Sequence, residues 1–220
     1  MSDPSSVQRP ASGGVRAVAE LTAVAATYAA WLVGEHLKMK GQFLGVALSV
    51  WVAYFVLRSR RESGLWRAWG FRADNLASSA RFHLVLGGAL VAFLAAVGWA
   101  RGTLTIDRGV LVVLAIYPFW ALAQQFFLQN AVVRNILDLG LGRRWAVALA
   151  AVCFSVAHAP DLPLMGLTAV AGGAWTMVFL RHPNLWMLSL THACVGTLAF
   201  CWALGRDPLA EFPQLLMLLG

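Results

Sequence analysis

Seven long apolar stretches dominate this sequence, and they constrain its fold more than any other feature. A helix needs about 20 mainly apolar residues to cross the hydrocarbon core of a bilayer, within a range of about 17–25. Five stretches reach that range, while the second and the fifth are shorter. We therefore predict an all-α polytopic membrane bundle of about seven transmembrane helices, over Ala17–Gly34, Phe43–Leu57, His83–Ala100, Val110–Leu128, Arg144–His158, Leu162–Leu180 and Leu185–Leu204.

The composition excludes most soluble classes of protein. Of the 220 residues, 60% are apolar and 12% are charged, against about 45–50% and about 25% in soluble domains. So few charges leave too little polar surface to cover a soluble globule. The net charge of +7 comes from basic residues scattered between apolar runs rather than from one basic stripe. We therefore expect membrane lipids as partners and no nucleic acid.

Basic residues also predict the orientation, because cytoplasmic connections carry an excess of Lys and Arg. Most basic residues lie in the N-terminal tail and in the second, fourth and sixth connections, and fewer lie on the other side. The N-terminus is therefore predicted in the cytoplasm. The cytoplasmic set is Arg9, Arg16, Arg58, Arg60, Arg61, Arg67, Arg72, Arg81, Arg134, Arg143, Arg144 and Arg181.

The chain divides into four predicted parts. Residues 1–15 form a disordered cytoplasmic tail, and residues 16–108 hold the N-terminal transmembrane helices with a basic loop at 58–82. That loop is either an amphipathic segment lying on the cytoplasmic face or an ordinary basic loop. Residues 109–205 form a core that carries the polar motifs. Residues 206–220 are a C-terminal tail, whose apolar part at 209–218 is either interfacial or part of a span.

Polar side chains within spans are costly and usually mark function. The fourth predicted span ends with Gln124, Gln125 and Gln129, the fifth ends at His158, and the seventh contains His192. Gln125 and Gln129 are four residues apart and should share a helix face. These five side chains are the predicted catalytic residues. The alternative is ordinary hydrogen bonding between helices, worth about 0.6–2 kcal/mol per contact.

The two histidines come from different spans and could meet in one polar cavity with the glutamines. They are the only metal ligands that we predict, and a divalent metal ion stays an open alternative. Two histidines are too few for a closed structural zinc site, which takes four ligands. No carboxylate falls in the fourth, fifth or seventh span to complete the set.

The order of these residues resembles the CPBP family, also called the Abi or CAAX-protease family, over about Val110–Phe200. Its members carry Glu-Glu-x-x-x-Arg at the end of one span, Phe-x-x-x-His at the end of the next, and His-x-x-x-Asn or Asp in a later one. Here the corresponding stretches are Gln124-Gln125-x-x-x-Gln129, Phe154-x-x-x-His158 and His192-x-x-x-Gly196. Both histidines are kept, and the glutamates, the arginine and the asparagine are replaced. The resemblance implies a bundle of this family's type in a bacterial cytoplasmic membrane.

In the family, as the resemblance implies, a glutamate activates water for attack on a peptide bond and the histidines assist. Two functions follow for this chain. The first is an intramembrane endopeptidase acting on membrane-embedded or lipidated peptides, in which His158 or His192 is the general base and the glutamines position water or the scissile carbonyl. The second is an inactive pseudoprotease that binds a membrane partner or lipidated peptide, because an amide cannot take a proton as a carboxylate does. A channel or transporter is less favoured, since only one polar cluster is visible.

Overall fold

The described part of the chain, residues 11–211 in a computed structural model, is helical throughout and contains no strand. The side chains of Ala11, Ser12 and Lys40 are excepted from the description. Short turns join the helices, and two helices continue into a π-helical turn. In chain order they are α1 (Ala11–His36), α2 (Lys40–Arg61), α3 (Leu65–Ala68), α4 (Leu76–Arg101), α5 (Arg108–Phe127) with the π turn Leu128–Val133, α6 (Arg134–Asp138), α7 (Arg143–Val156), α8 (Leu162–Arg181), α9 (Leu185–Leu198) with the π turn Ala199–Ala203, and α10 (Pro208–Glu211).

Six of the seven predicted spans are confirmed as helices long and apolar enough to cross a membrane. The fourth is longer than predicted, since it runs from Arg108 through the π turn to Asp138. The prediction of a fifth span is wrong. This stretch forms α7, which has 14 residues and a length of about 21 Å, short of the roughly 30 Å of hydrocarbon. The helix stops at Val156, and His158 lies in the turn that follows.

The ends of the chain differ from the predicted division or fall outside the described residues. The first helix already begins at Ala11, so residues 11–15 of the predicted tail are helical. Residues 1–10 lie outside the described residues, as does most of the apolar segment at 209–218. The short helix α10 covers Pro208–Glu211, which is the described portion of the predicted C-terminal tail.

Two compact units divide the chain, and each consists of two separate segments. Unit 1 comprises residues up to 63 together with 128–176, and unit 2 comprises 64–127 together with the residues from 177 onward. The limits at 127 and 176 fall inside continuous helical stretches. The predicted division of the chain between residues 108 and 109 stays a prediction.

In unit 1, the helices α1 and α2 pack on each other, and α1 also packs on α6 and on the π turn before it. The middle of α8 approaches α7 closely at Gly172, where an added Cβ atom would lie 2.7 Å from the Cβ atom of Phe154. Such a contact is tighter than van der Waals packing allows. A side chain at this position would therefore force the two helices apart.

In unit 2, the helix α9 packs against both α5 and α4. Its N-terminus is capped by Asn184, whose side-chain oxygen accepts a hydrogen bond from the backbone N–H of Met187, as expected of an asparagine at this position. The same side chain donates to the carbonyl of Arg72 at 2.8 Å and to Oδ1 of Asn75 at 2.9 Å. The backbone of Leu185 donates to the carbonyl of Gly70. These bonds fasten the loop before α4 to the start of α9.

Candidate functional site

Three of the five predicted site residues meet in unit 2, where α5 and α9 face each other. The amide nitrogen Nε2 of Gln125 lies 3.0 Å from Nδ1 of His192. The hydroxyl of Tyr117 lies 3.3 Å from Nε2 of the same imidazole, and it donates to Oε1 of Gln124, also at 3.3 Å. Gln125 is fully buried and His192 is 4% exposed. The four side chains form one chain of hydrogen bonds, which we call the α5–α9 cluster.

The hydrogen-bond directions in the α5–α9 cluster define the state of His192. An amide N–H can only donate, so Nδ1 of His192 accepts from Gln125 and carries the lone pair. The proton of the neutral ring is then on Nε2, where it can be donated to the Tyr117 oxygen. The tyrosine in turn donates to Gln124. Every member is uncharged, and both ring nitrogens of His192 are engaged.

Sequence reasoning missed Tyr117, although a signal for it exists. It lies seven residues before Gln124, which is two helical turns and therefore the same face of α5. Only the partner on α9 gives the residue a role, because tyrosine is common in apolar helices and often bonds locally. The ring of Tyr117 meets that of His192 edge to face, with centroids 5.7 Å apart.

The other two predicted residues, Gln129 and His158, belong to unit 1. Gln129 is buried in the π turn and donates from Nε2 to the hydroxyl of Thr176 at 3.2 Å. The expectation that Gln125 and Gln129 use one face assumed 3.6 residues per turn. The π turn has i→i+5 bonds and an extra residue per turn, and the two glutamines take partners on different helices. The convergence of all five side chains on one cavity stays a prediction.

His158 follows α7 in the turn that leads to α8, and it is half-buried. Its Nδ1 lies 2.7 Å from the carbonyl oxygen of Phe154. Because a carbonyl only accepts, Nδ1 carries the proton and the lone pair of the neutral ring is on Nε2. The ring also packs edge to face against Phe154, with centroids 5.2 Å apart. The Phe-x-x-x-His spacing therefore fixes both the orientation and the tautomer of this histidine.

A buried charged network in unit 1 was also missed. Glu20 of α1 is 4% exposed and Arg58 of α2 is 7% exposed. The carboxylate accepts from Arg58 at 2.8 Å, from the Tyr54 hydroxyl, and from Nδ2 of Asn135 at 2.7 Å. The signal in the sequence was a lone glutamate inside the first predicted span. The partners of Glu20 lie on α2 and α6, so this side chain of α1 stabilises the packing of three helices.

Glu62 extends this network beyond the end of α2. It accepts from Nε of Arg58 at 3.0 Å and from Arg16 at 3.1 Å. Burial alone would raise the pKa of Glu62. The hydrogen bond from Arg58 and the positive charges of Arg58 and Arg16 outweigh that effect, so the pKa lies below its ordinary value. The carboxylate is therefore ionised at neutral pH.

The spacing of the glutamate motif occurs a second time in the chain. Gln129-Asn130-x-x-x-Arg134 has the same spacing as Gln124-Gln125-x-x-x-Gln129, and it keeps the arginine. Gln129 and Asn130 are both buried in the π turn, at 1% and 2% exposure. Short π-helical turns within α-helices are frequent at functional sites. This second register adds Asn130 and Arg134 to the candidate residues.

Among residues 11–211, no group of three or more His, Cys, Asp or Glu side chains lies close enough to hold a metal ion. His158 and His192, the predicted ligands, belong to different units. Within residues 11–211, neither histidine therefore belongs to a group of three such side chains. The divalent metal therefore stays an untested alternative.

Comparison with models of protein families gives a match that covers the region of the motifs. Residues 107–198 match the model of a family described as Rce1-like, type II CAAX prenyl endopeptidase. A comparison with curated proteins found no match, and a comparison with solved structures found none either. The matched stretch contains all five predicted site residues, and its limits agree with the resemblance drawn from Val110 to Phe200. With its candidate membrane-spanning helices, this chain is a multi-pass membrane protein whose residues 107–198 are similar to the Rce1-like family of type II CAAX prenyl endopeptidases.

Proposed function

We propose that the Rce1-like domain binds a membrane-embedded or lipidated peptide segment and does not hydrolyse it. The observation that carries the proposal is the α5–α9 cluster, in which His192 is held on both ring nitrogens by uncharged groups. Glutamine side chains offer two donors and one acceptor oxygen each. Such a cluster can bind the backbone of a peptide within the membrane, where unpaired polar groups are costly.

The chemistry of hydrolysis argues against turnover by this cluster. Attack of water on an amide needs a group that accepts a proton, and a general base works best with a pKa near the operating pH. Gln124 and Gln125 cannot accept a proton in that range. The lone pair of His192 on Nδ1 is directed at the Gln125 amide, so it is not directed at a water molecule. The cluster retains hydrogen-bonding capacity without an evident base.

An endopeptidase is the second candidate, and His158 favours it. Its Nδ1–H bond to the Phe154 carbonyl leaves the lone pair on Nε2, where it can accept a proton, and histidine has an intrinsic pKa of about 6.5. In this alternative, His158 or His192 accepts the proton of the attacking water. The amides of Gln124, Gln125 and Gln129 would then position the water or stabilise the oxyanion.

The test uses the full-length protein in lipid nanodiscs and two versions of one peptide that ends in a CAAX sequence, one prenylated and one not. We expect the prenylated peptide to bind and to be recovered intact by mass spectrometry after prolonged incubation. Gln125→Leu and His192→Ala should weaken binding about tenfold or more, since each removes hydrogen bonds in a low-dielectric site. Gln42→Leu and His36→Ala are matched controls, because both residues are exposed.

The outcomes separate the candidates. Release of the last three residues by the wild type, lost in His158→Ala, would establish the endopeptidase and overturn binding without hydrolysis. Failure of both peptides to bind would contradict the proposal in either form. Comparison of protein termini in cells with wild type or with His158→Ala and His192→Ala together extends the test to natural substrates.

We also propose that the chain lies in a bacterial cytoplasmic membrane with its N-terminus in the cytoplasm. The basic residues of the tail and of alternate connections support this orientation. The hydrogen bonds of Asn184 to Arg72 and Asn75 support a common side for the second and sixth connections. Cysteines introduced at Asp74 and His182 should then react with a membrane-impermeant maleimide only after lysis, whereas one at Lys38 should react in intact cells.

A further inference from the structure

Gly196 has no side chain beside His192, and the ring of Tyr117 occupies that position. Gly196 lies one helical turn after His192 on α9, so a side chain there would project on the same face. An added Cβ atom would lie 3.3 Å from Cδ2 of His192 and 3.3 Å from Cε1 of Tyr117. The two rings therefore meet over the bare backbone of the glycine, closer than a side chain at 196 would comfortably allow.

The hydroxyl of Tyr117 reaches the ring nitrogen that points away from Gln125. Its oxygen lies 3.3 Å from Nε2 of His192, while the Gln125 amide occupies Nδ1. The motif of the resemblance has Asn or Asp at the position of Gly196, which is a hydrogen-bonding side chain one turn from the histidine. In this chain position 196 has no side chain, and a hydroxyl from α5 lies at hydrogen-bond distance from the histidine.

We propose that Tyr117 is the positioning residue of His192, with its ring filling the space over Gly196 and its hydroxyl holding the proton of the imidazole on Nε2. The proposal rests on the proposed function, since it assigns a part in the binding cluster to a residue of the same site. Fixing the proton on Nε2 directs the Nδ1 lone pair to Gln125 and keeps the cluster uncharged. Tyr117 and Gly196 act as a pair, because a side chain at 196 would displace the tyrosine ring.

The experiment measures the tautomer of His192 directly. The full-length protein, with ¹⁵N-labelled histidine, is studied by NMR in nanodiscs, and the signals of His192 are assigned with His192→Gln. We expect the neutral Nε2–H tautomer in the wild type. Loss of one hydrogen bond in Tyr117→Phe should change the tautomer ratio about five- to tenfold. Tyr54→Phe is the matched control, since it removes a hydroxyl that is bonded to Glu20.

Two further variants test the pairing with Gly196. Gly196→Ala keeps the hydroxyl but crowds both rings, so it should shift the same signals. Asparagine at 196 fits where the tyrosine ring has been removed, so Tyr117→Ala with Gly196→Asn should restore the Nε2–H tautomer that Tyr117→Ala alone loses. If Tyr117→Phe fails to fold, the Gly196→Ala signal serves as the test.

The proposal is overturned if the His192 signals of Tyr117→Phe equal those of the wild type, or if Gly196→Ala leaves them unchanged. It is supported if the Tyr117 variants shift His192 alone and Tyr54→Phe does not. The peptide-binding assay remains separate. A peptide that fails to bind contradicts the proposed function while the tautomer result stands, and an unchanged tautomer contradicts the role of Tyr117 while binding stands.

Discussion

Arg58 donates a 2.8 Å hydrogen bond to Glu20 between two helices that are apolar enough to span a membrane. Charges in such helices are rare because each is expensive to move out of water. Here the carboxylate is shared by Arg58, Tyr54 and Asn135, which lie on two other elements. The pair therefore links α1, α2 and α6 by contacts that exist only in the folded state.

Glu20→Gln should destabilise the protein strongly, because the buried charge of Arg58 loses one of its two carboxylate partners. Breaking a buried ion pair from one side typically costs about 3–5 kcal/mol. We expect a large fall in the thermal midpoint, measured by fluorescence in detergent. Glu20→Gln combined with Arg58→Met should recover part of the loss. Glu211→Gln removes an exposed carboxylate that pairs with the partly buried Arg206, and it should change stability by less than about 1 kcal/mol.

An equal fall for Glu20→Gln and Glu211→Gln would contradict this role for Glu20. So would a double variant that is less stable than either single variant. Both results would mean that the network is not the main link between the three elements.

The glutamate motif can be aligned with Gln124-Gln125-x-x-x-Gln129 or with Gln129-Asn130-x-x-x-Arg134. Variants that introduce the charged residues of the motif in one alignment at a time distinguish the two. Gln124→Glu with Gln125→Glu and Gln129→Arg places two carboxylates in the α5–α9 cluster, where the partners are uncharged. We expect this triple variant to lose stability, because unmatched buried charge is costly. Gln129→Glu with Asn130→Glu keeps the native Arg134 at the spacing of the motif, and it should be tolerated better.

Thermal unfolding and peptide cleavage are measured on both variants. Cleavage by the Gln129→Glu, Asn130→Glu variant alone would identify the second register as the one that the family motif occupies. A stable triple variant that cleaves the prenylated peptide would instead favour the first register and a scaffold that is still a protease. Equal stability of the two variants would contradict the expected role of Arg134.

Most of the helical framework could be predicted from the sequence, since apolar runs determine where membrane helices lie. The exceptions have local causes. The run Arg144–His158 looked like a span, but its helix ends at Val156, and the turn that contains His158 also contains Pro160. The π turn at Leu128–Val133 changes the face on which Gln129 lies, and periodicity at 3.6 residues per turn cannot anticipate it.

The site was predictable only in part, for a different reason. Gln125 and His192 are separated by 67 residues, yet their polarity within apolar runs marked both. Tyr117 is of a residue type that often occurs in membrane helices without a special role, and Asn135 lies beyond the predicted end of the fourth span. Their partners, His192 and Glu20, come from distant segments, so only packing identifies them. A polar side chain in a predicted span indicates a candidate site residue, while the contacts in the folded protein determine its hydrogen-bond partners.

Asn184 should control the attachment of the loop at residues 64–75. Asn184→Ala removes the cap on Met187 and both donor bonds to the loop, and it leaves the carbonyl of Arg72 without this donor. We expect a loss of about 1–3 kcal/mol, typical of buried groups left unsatisfied. Asn184→Asp keeps the acceptor for Met187 and should recover the capping part only.

Limited trypsin digestion checks this prediction, because Arg67 and Arg72 lie in the loop. Cleavage there should be fastest in Asn184→Ala, intermediate in Asn184→Asp and slowest in the wild type. If all three are cleaved at one rate, the asparagine does not hold the loop. Ser78→Ala serves as the control, since Ser78 is exposed and bonds only within its own turn.

The same loop should respond to acid through Asp74. A hydrogen bond from Arg72 holds the pKa of the Asp74 carboxyl below its ordinary value, with a further contribution from the charge of Arg67. A carboxyl whose pKa is lower in the folded protein stabilises the fold above its unfolded pKa, about 3.9 for aspartate. That contribution is lost as the pH falls through the folded pKa.

Loop order should therefore stay constant from pH 7 to about pH 5 and decrease below about pH 4. The fluorescence of Trp66 and Trp69 reports this transition. Asp74→Asn should remove its pH dependence, and an unchanged acid transition in that variant would show that another group titrates.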